Sequence, residues 1–336
     1  MTVPAPPDPG ALARYDVDDP EISIASDASS ELVEIDPEEY RAYFREDFGR
    51  LFHAVSHSHG NLPYPLPVDG VEQQRLKDLH SLLRRLFGNN YVGPVQEILA
   101  PTRGRVRRAV DFGTGTGLWP MEMAEEFPHV RFDGLDKVPI QTRHPLRNVM
   151  FEIHDIAERT RYQNGAIDLV HARFLTMAVR NYRQLVREAA RILRSDGLFI
   201  ACEWHEYPVM NDGSDPIILA PASCNFFHAV AEGVTFSGVN WVASSIPEYL
   251  AETHLFKDIE VRVFKVPVGN WHQEQVDIGV DFADTLKTYA NSARYMLYET
   301  GRNETQVNDL INTFTYEIES SPGIVCLLYT VHARRV

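Results

Sequence analysis

Cysteine is scarce in this chain of 336 residues: Cys202, Cys224 and Cys326 are all it has. An odd trio without a C-x-x-C pair indicates neither a disulfide framework nor a zinc cluster, and fits a reducing compartment. Positive charge is in short supply too. The 32 Lys and Arg against 47 Asp and Glu give a net charge of −15. That argues against bulk attraction to nucleic acid or to an anionic membrane surface, though it leaves room for a local basic groove. Long apolar runs are missing as well. The longest, such as Ile324 to Val331, are too short to span a bilayer, and the opening Met1-Thr2-Val3-Pro4-Ala5-Pro6-Pro7 lacks the basic flank and apolar stretch of a signal peptide. The expectation is a soluble, cytoplasmic protein with neither a nucleic-acid nor a membrane partner.

What is present is a globular composition, 44% hydrophobic and 24% charged, long enough for a full α/β core. Residues 1–39 stand apart: eleven acids face one base, Arg14, which reads as a disordered acidic tail. Residues 40–100 read as an N-terminal helical cap. In it Leu76, Leu79, Leu83 and Leu86 make one apolar stripe over Glu72 to Leu86, after the stiff Leu62-Pro63-Tyr64-Pro65-Leu66-Pro67. From 101 to 207 short β-rich runs alternate with helices, the pattern of a parallel sheet with crossover helices. Strands are expected at Arg108 to Asp111, Val130 to Leu135, Val149 to Ile153, Ala166 to His171 and Leu198 to Glu203. The last two are separated by a helix with Leu185, Val186, Ala189, Ala190 and Leu193 on one face, ended by the turn Ser195-Asp196-Gly197. Residues 208–258 read as an inserted lid or substrate region. Residues 259–336 supply the strands Ile259 to Val268 and Ile324 to His332, with helices inserted at 276–318.

The strongest motif is Val110-Asp111-Phe112-Gly113-Thr114-Gly115-Thr116-Gly117-Leu118-Trp119, a strand, a glycine turn and a helix start. Glycine lets backbone approach a ligand closely at the carboxyl end of a first strand. A dinucleotide fingerprint needs G-x-G-x-x-G, whereas Gly113, Gly115 and Gly117 are evenly spaced. With Asp111 two residues ahead, this spacing suits S-adenosylmethionine, which carries a zwitterionic amino acid and a sulfonium where a dinucleotide has phosphates. The next strand ends in Asp136, where an acid takes both ribose hydroxyls. The alternative for Asp136 is a helix N-cap. The third strand leads to His154-Asp155-Ile156, placing a carboxylate for the adenine amino group and an aliphatic cover for its ring.

These segments resemble the class I, Rossmann-like methyltransferases, and in detail the fungal LaeA-type family tied to secondary metabolism. The likeness is carried by Tyr64-Pro65-Leu66-Pro67-Val68-Asp69 with Glu72-Gln73-Gln74-Arg75-Leu76, by Asp111 to Trp119, and by Gly134-Leu135-Asp136. Asn148-Val149-Met150-Phe151-Glu152 and Ile167-Asp168-Leu169-Val170-His171-Ala172-Arg173 extend it. It departs from the family pattern at Val68, where Asn is usual, at Ser195-Asp196-Gly197, where Pro-Gly-Gly is usual, and at 157–160, where an aromatic pair is missing. The resemblance implies a seven-stranded, mostly parallel sheet with an antiparallel last strand and helical lid insertions. It also implies S-adenosylmethionine as donor, S-adenosylhomocysteine as product, and a cofactor site that includes Tyr64, Arg75, Asp111, Gly113, Thr114, Gly115, Gly117, Asp136, Lys137, Asp155, Ile156 and Arg173.

Methyl transfer from a sulfonium is an in-line displacement, so the protein must align donor and acceptor and, for a hydroxyl acceptor, remove its proton. His205, in Glu203-Trp204-His205-Glu206-Tyr207 at the end of the fifth strand, is the first candidate for a base; its plain alternative is a hydrogen-bonded histidine on the crevice rim. His171 and Arg173 end the fourth strand, where this fold reaches cofactor or substrate. Trp204, Tyr207, Phe226, Phe227, Trp241 and Tyr289 are candidates for the substrate wall, with core packing as the alternative. His53, His57 and His59 cluster without an acid or cysteine at ligand spacing, so a loop is preferred to a metal site, and the chemistry needs no metal. The expected activity is O-methylation of a small secondary metabolite, at a hydroxyl or a carboxylate. The alternative is a LaeA-like regulator acting through protein partners, nuclear in location, with the acidic tail as a docking segment.

Overall fold

A computed structural model describes residues 32–36, 38–54 and 64–336. Most of the acidic lead-in, and His57 and His59, lie outside the described residues. A 3-10 turn at Glu39–Tyr43 leads into a hairpin, β1 (Phe44–Asp47) and β2 (Arg50–His53), followed by α1 (Gly70–Phe87). Helix α1 starts where Asp69 accepts from the Glu72 amide at 3.2 Å and stops at Gly88, whose φ of 71° is left-handed. The region expected to be a helical cap is thus part hairpin. Its strands are short and polar, and no alternation in sequence announces them.

The chemistry-bearing half follows the short α2 (Val95–Ile98) and is built from β3 (Arg107–Phe112), α3 (Leu118–Glu126), β4 (Val130–Asp136), β5 (Val149–Ile153), β6 (Ile167–Arg173), α4 (Tyr182–Ile192) and β7 (Leu193–Trp204). After a two-residue β8 (Val209–Met210) come α5 (Pro216–Leu219), α6 (Pro221–Phe236), α7 (Ile246–Glu252) and β9 (Phe256–Pro267). Then follow α8 (Val276–Glu299), α9 (Glu304–Ser320) and β10 (Ile324–Arg335). The sheet order is β5-β4-β3-β6-β7-β10-β8, with β9 on β10. Neighbours from β5 to β7 are parallel, and β10 is antiparallel to β7, β8 and β9. Seven long strands are those expected from sequence, and β8 is an addition.

Helix α4 ends at Ile192, so Leu193 belongs to the sheet. There Ile167 faces Leu193 while Leu169 faces Leu198, a register shift that absorbs Ser195-Asp196-Gly197 as a bulge inside β7. Asp196 has a φ of 62° and pairs with Lys257 at 2.6 Å. The tripeptide shifts the register of a strand instead of closing a helix as a turn.

Apolar side chains pack the sheet from both faces. Trp119, Met123 and Phe132 fill the side under α3, and Leu185, Val186 and Phe199 the side under α4. A third cluster joins Leu79, Leu82 and Leu83 of α1 to Phe226, Phe282, Leu297 and Phe314 of the inserted helices. This last cluster roofs the carboxyl ends of the strands. The order reverses between β3 and β6, which is where open α/β sheets leave a crevice.

Candidate active site

At the end of β3, Asp111 is buried: the Thr114 hydroxyl donates to its Oδ2 at 2.7 Å, and His171 Nδ1 lies 2.7 Å from Oδ1. Trp119 stacks on His171 with centroids 3.9 Å apart. Beyond Asp111 the chain turns through three glycines with left-handed φ. A side chain on Gly117 would collide with the Phe151 ring at 2.4 Å, so that glycine serves packing. Gly115, with a φ of 57°, has nothing nearer than Leu76 Cδ1 at 3.9 Å, so its space is left open toward the cavity. The Gly115 amide donates to Asp136 Oδ2 at 2.8 Å and the Val138 amide to Oδ1 at 3.0 Å. Burial pushes the Asp136 carboxyl up to about 6.

A cavity of about 260 Å³ opens above these strand ends. Of the residues expected from sequence, its lining includes Tyr64, Arg75, Gly113, Thr114, Gly115, Asp136, Lys137, Ile156, Arg173, Trp204, His205, Phe227, Trp241 and Tyr289. Asp111, Gly117 and His171 support the wall from behind it. Asp155 also stands outside the lining. Its carboxylate accepts from the Ala157 amide at 2.9 Å and pairs at 2.7 Å with Lys137, itself a lining residue. Phe226 is fully buried and stacks on Phe314 at 4.2 Å, so it is core. Tyr207 also lies outside the lining, and His205 Nδ1 lies 3.2 Å from its carbonyl oxygen and 3.3 Å from its amide nitrogen. His205 packs over Tyr329 with centroids 5.9 Å apart.

Among the lining residues that escape a reading by sequence, two stand out for their chemistry. Glu203, on β7, is 1% exposed. It accepts from the Leu175 amide at 2.7 Å and from the Thr176 hydroxyl at 2.9 Å, and burial pushes its carboxyl up to about 7. It thereby secures the turn after β6, where Phe174 sits at a φ of 59°, unusual for a residue with a side chain. An acid closing an otherwise apolar strand is the signal that could have found it. The other is His80 on α1, 3.0 Å from Arg173 Nη2. Rings form a column along the wall: Phe174 and Trp204 lie 5.9 Å apart at 7°, Trp204 and Phe282 4.8 Å apart at 18°.

Residues 73–259, more than half of the chain, match the methyltransferase domain family. The chain belongs to this family. Among its relatives is a secondary metabolism regulator laeA of Coprinopsis cinerea, 36% identical over 51% of this chain and 41% of that protein. The methyltransferase pytC of Aspergillus terreus is 27% identical over 82% of this chain and 79% of its own length. A protein-methionine methyltransferase laeA of Emericella nidulans is 26% identical over 70% and 60%. The chain thus spans less than half of the first relative's length. Together with the sheet order, the match makes this a Rossmann-like class I methyltransferase domain related to laeA and pytC. Among the described residues no helix is long and apolar enough to cross a membrane.

Proposed function

We propose that the chain transfers a methyl group from S-adenosylmethionine to an oxygen atom, hydroxyl or carboxylate, of a small, largely apolar metabolite. One observation carries the reading. A single cavity is lined both by the glycine turn with Asp136 and by an aromatic set comprising Trp204, Phe227, Trp241, Phe282 and Tyr289.

The residues fit the donor. The open space at Gly115 admits a ligand against the backbone, Asp136 offers a half-buried carboxylate for ribose hydroxyls, and Ile156 supplies an apolar surface for a base. Bound there, S-adenosylmethionine supplies a methyl group made electrophilic by its sulfonium. The chain's own share is to align the acceptor against the aromatic wall and to exclude water. For a hydroxyl acceptor His205, in the cavity lining, takes the proton. A carboxylate acceptor needs no base.

The test is calorimetric titration with S-adenosylhomocysteine, followed by incubation with methyl-labelled donor and a panel of phenols and carboxylic acids. Binding with label in an extractable methyl ether or ester is the expected result. Absence of binding overturns the reading.

A second reading is a regulator that acts through protein partners. One feature favours it: Met177 lines the same cavity, so a thioether of the chain itself stands among the acceptor-facing groups. Intact-mass measurement with peptide mapping after incubation with the donor separates the two readings, because a gain of one methyl mapped to Met177 supports the regulator.

A further inference from the structure

We infer that Arg173, aimed by His80, forms a carboxylate-binding subsite in the cavity wall, an inference that rests on the methyltransferase reading and deepens it. The cations around the cavity are not equivalent. Arg75 donates through Nε and Nη2 to Glu72 Oε1, at 3.0 and 2.5 Å, and Lys137 pairs with Asp155. Arg173 meets no carboxylate among the described residues. Its partners are His80 Nδ1, at 3.0 Å from Nη2, and the face of the Phe174 ring, 5.7 Å from the guanidinium carbon.

Arginine has donors only, so His80 Nδ1 must be the acceptor and the ring proton must sit on Nε2, which lies 3.2 Å from Glu122 Oε2. His80 is therefore a neutral positioning residue. Burial and the Arg173 charge push its imidazole down to about 4, so it stays neutral near pH 7. The His80 acceptor holds the guanidinium in place without neutralising it, and Glu122 lies beside the ring without hydrogen-bond geometry at Nε2. A desolvated cation left uncompensated is costly, whereas a ligand carboxylate meeting the remaining N–H donors would offset that cost with charge-assisted hydrogen bonds. The register agrees with this role. Ala172 lies beside Phe112, which sets Arg173 level with the first glycine of the turn.

Two sources can bring a carboxylate here, the amino-acid end of the donor and an acidic acceptor. Dissociation constants for wild type, Arg173→Leu, His80→Leu and His80→Asn separate them. The probes are S-adenosylhomocysteine, 5′-methylthioadenosine, which lacks the amino-acid carboxylate, and salicylate added to protein loaded with S-adenosylhomocysteine. Both leucine variants should lose about tenfold or more for one carboxylate probe, with methylthioadenosine changed less than about twofold. Loss on S-adenosylhomocysteine names the donor, and loss on salicylate names the acceptor. His80→Asn, whose Oδ1 can accept from Arg173, should restore most of the affinity. Arg173→Leu should melt no lower than wild type, because it removes an uncompensated charge; Arg173→Met replaces it where the leucine variant fails to fold. Losses equal for methylthioadenosine and the carboxylate probes, or no loss for any, overturn the subsite. Wild type that binds neither nucleoside overturns the methyltransferase reading itself.

Discussion

At Glu203 a carboxyl is buried against the backbone of the turn after β6 and titrates near 7, where an ordinary glutamate titrates near 4.5. Its folded value lies above its unfolded one, so the stability it contributes is complete below about pH 4.5 and is lost as pH rises through about 7. Unfolding free energy of wild type minus that of Glu203→Gln should therefore fall by on the order of 3 kcal/mol between pH 4 and pH 8. Denaturant melts across that range check it, and a flat difference would show that the carboxyl does not titrate there. His205 bears on rate instead. With a phenolic acceptor, His205→Ala should slow methylation by about 10²–10⁴-fold while leaving S-adenosylhomocysteine affinity unchanged. With a carboxylic acid acceptor the same variant should keep most of its rate. A normal rate on a phenol would remove His205 from the chemistry.

Helix α1 brings Arg75, Leu76, Leu79 and His80 to the cavity, and its start depends on Asp69. That side chain caps the Glu72 amide and also pairs with Arg50 of the hairpin, so one residue ties three segments together. Asp69→Ala should cost about 1–2 kcal/mol in a urea melt. It should also weaken binding of S-adenosylhomocysteine more than a destabilising core substitution remote from α1; equal binding would uncouple the cap from the site. Elements with strong local signals were legible in sequence. The parallel strands were found to within a few residues, and the stripe of leucines gave α1. Leu193 was not, because an apolar residue following Ala189 and Ala190 fits a helical face as well as the first position of a buried strand, and only pairing with Ile167 decides. The hairpin carried too few residues for a period. Within the site, the glycine turn and Asp136 were readable because their chemistry is local. His80 with Arg173 is a contact across 93 positions of sequence, and the ion pair of Asp155 with Lys137 depends on where the lysine side chain points, so neither leaves a mark in the order of residues.

Over the whole molecule the negative charge is unevenly spread. Residues 40–336 hold 36 acids against 31 bases, so about two thirds of the net charge belongs to the first 39 residues. A segment with eleven acids against one base has a composition that works against burial. Removing residues 1–31 should leave the cooperative melt and S-adenosylhomocysteine affinity unchanged while the protein leaves an anion exchanger at lower salt. Loss of the cooperative transition would place part of that segment in the folded unit. A regulator working through partners would instead lose partner capture with its cofactor site intact, which the same deletion can report.

The aromatic wall has one further consequence. The chain has four tryptophans, and Trp119, Trp204 and Trp241 all line the cavity, while Trp271 does not. Trp119 is stacked on an imidazole and Trp204 lies between two phenylalanine rings, so their emission depends on immediate neighbours that a ligand would disturb. Occupancy can then be followed as native fluorescence, without dye or isotope, and Trp271→Phe would remove the one emitter that sits apart from the cavity.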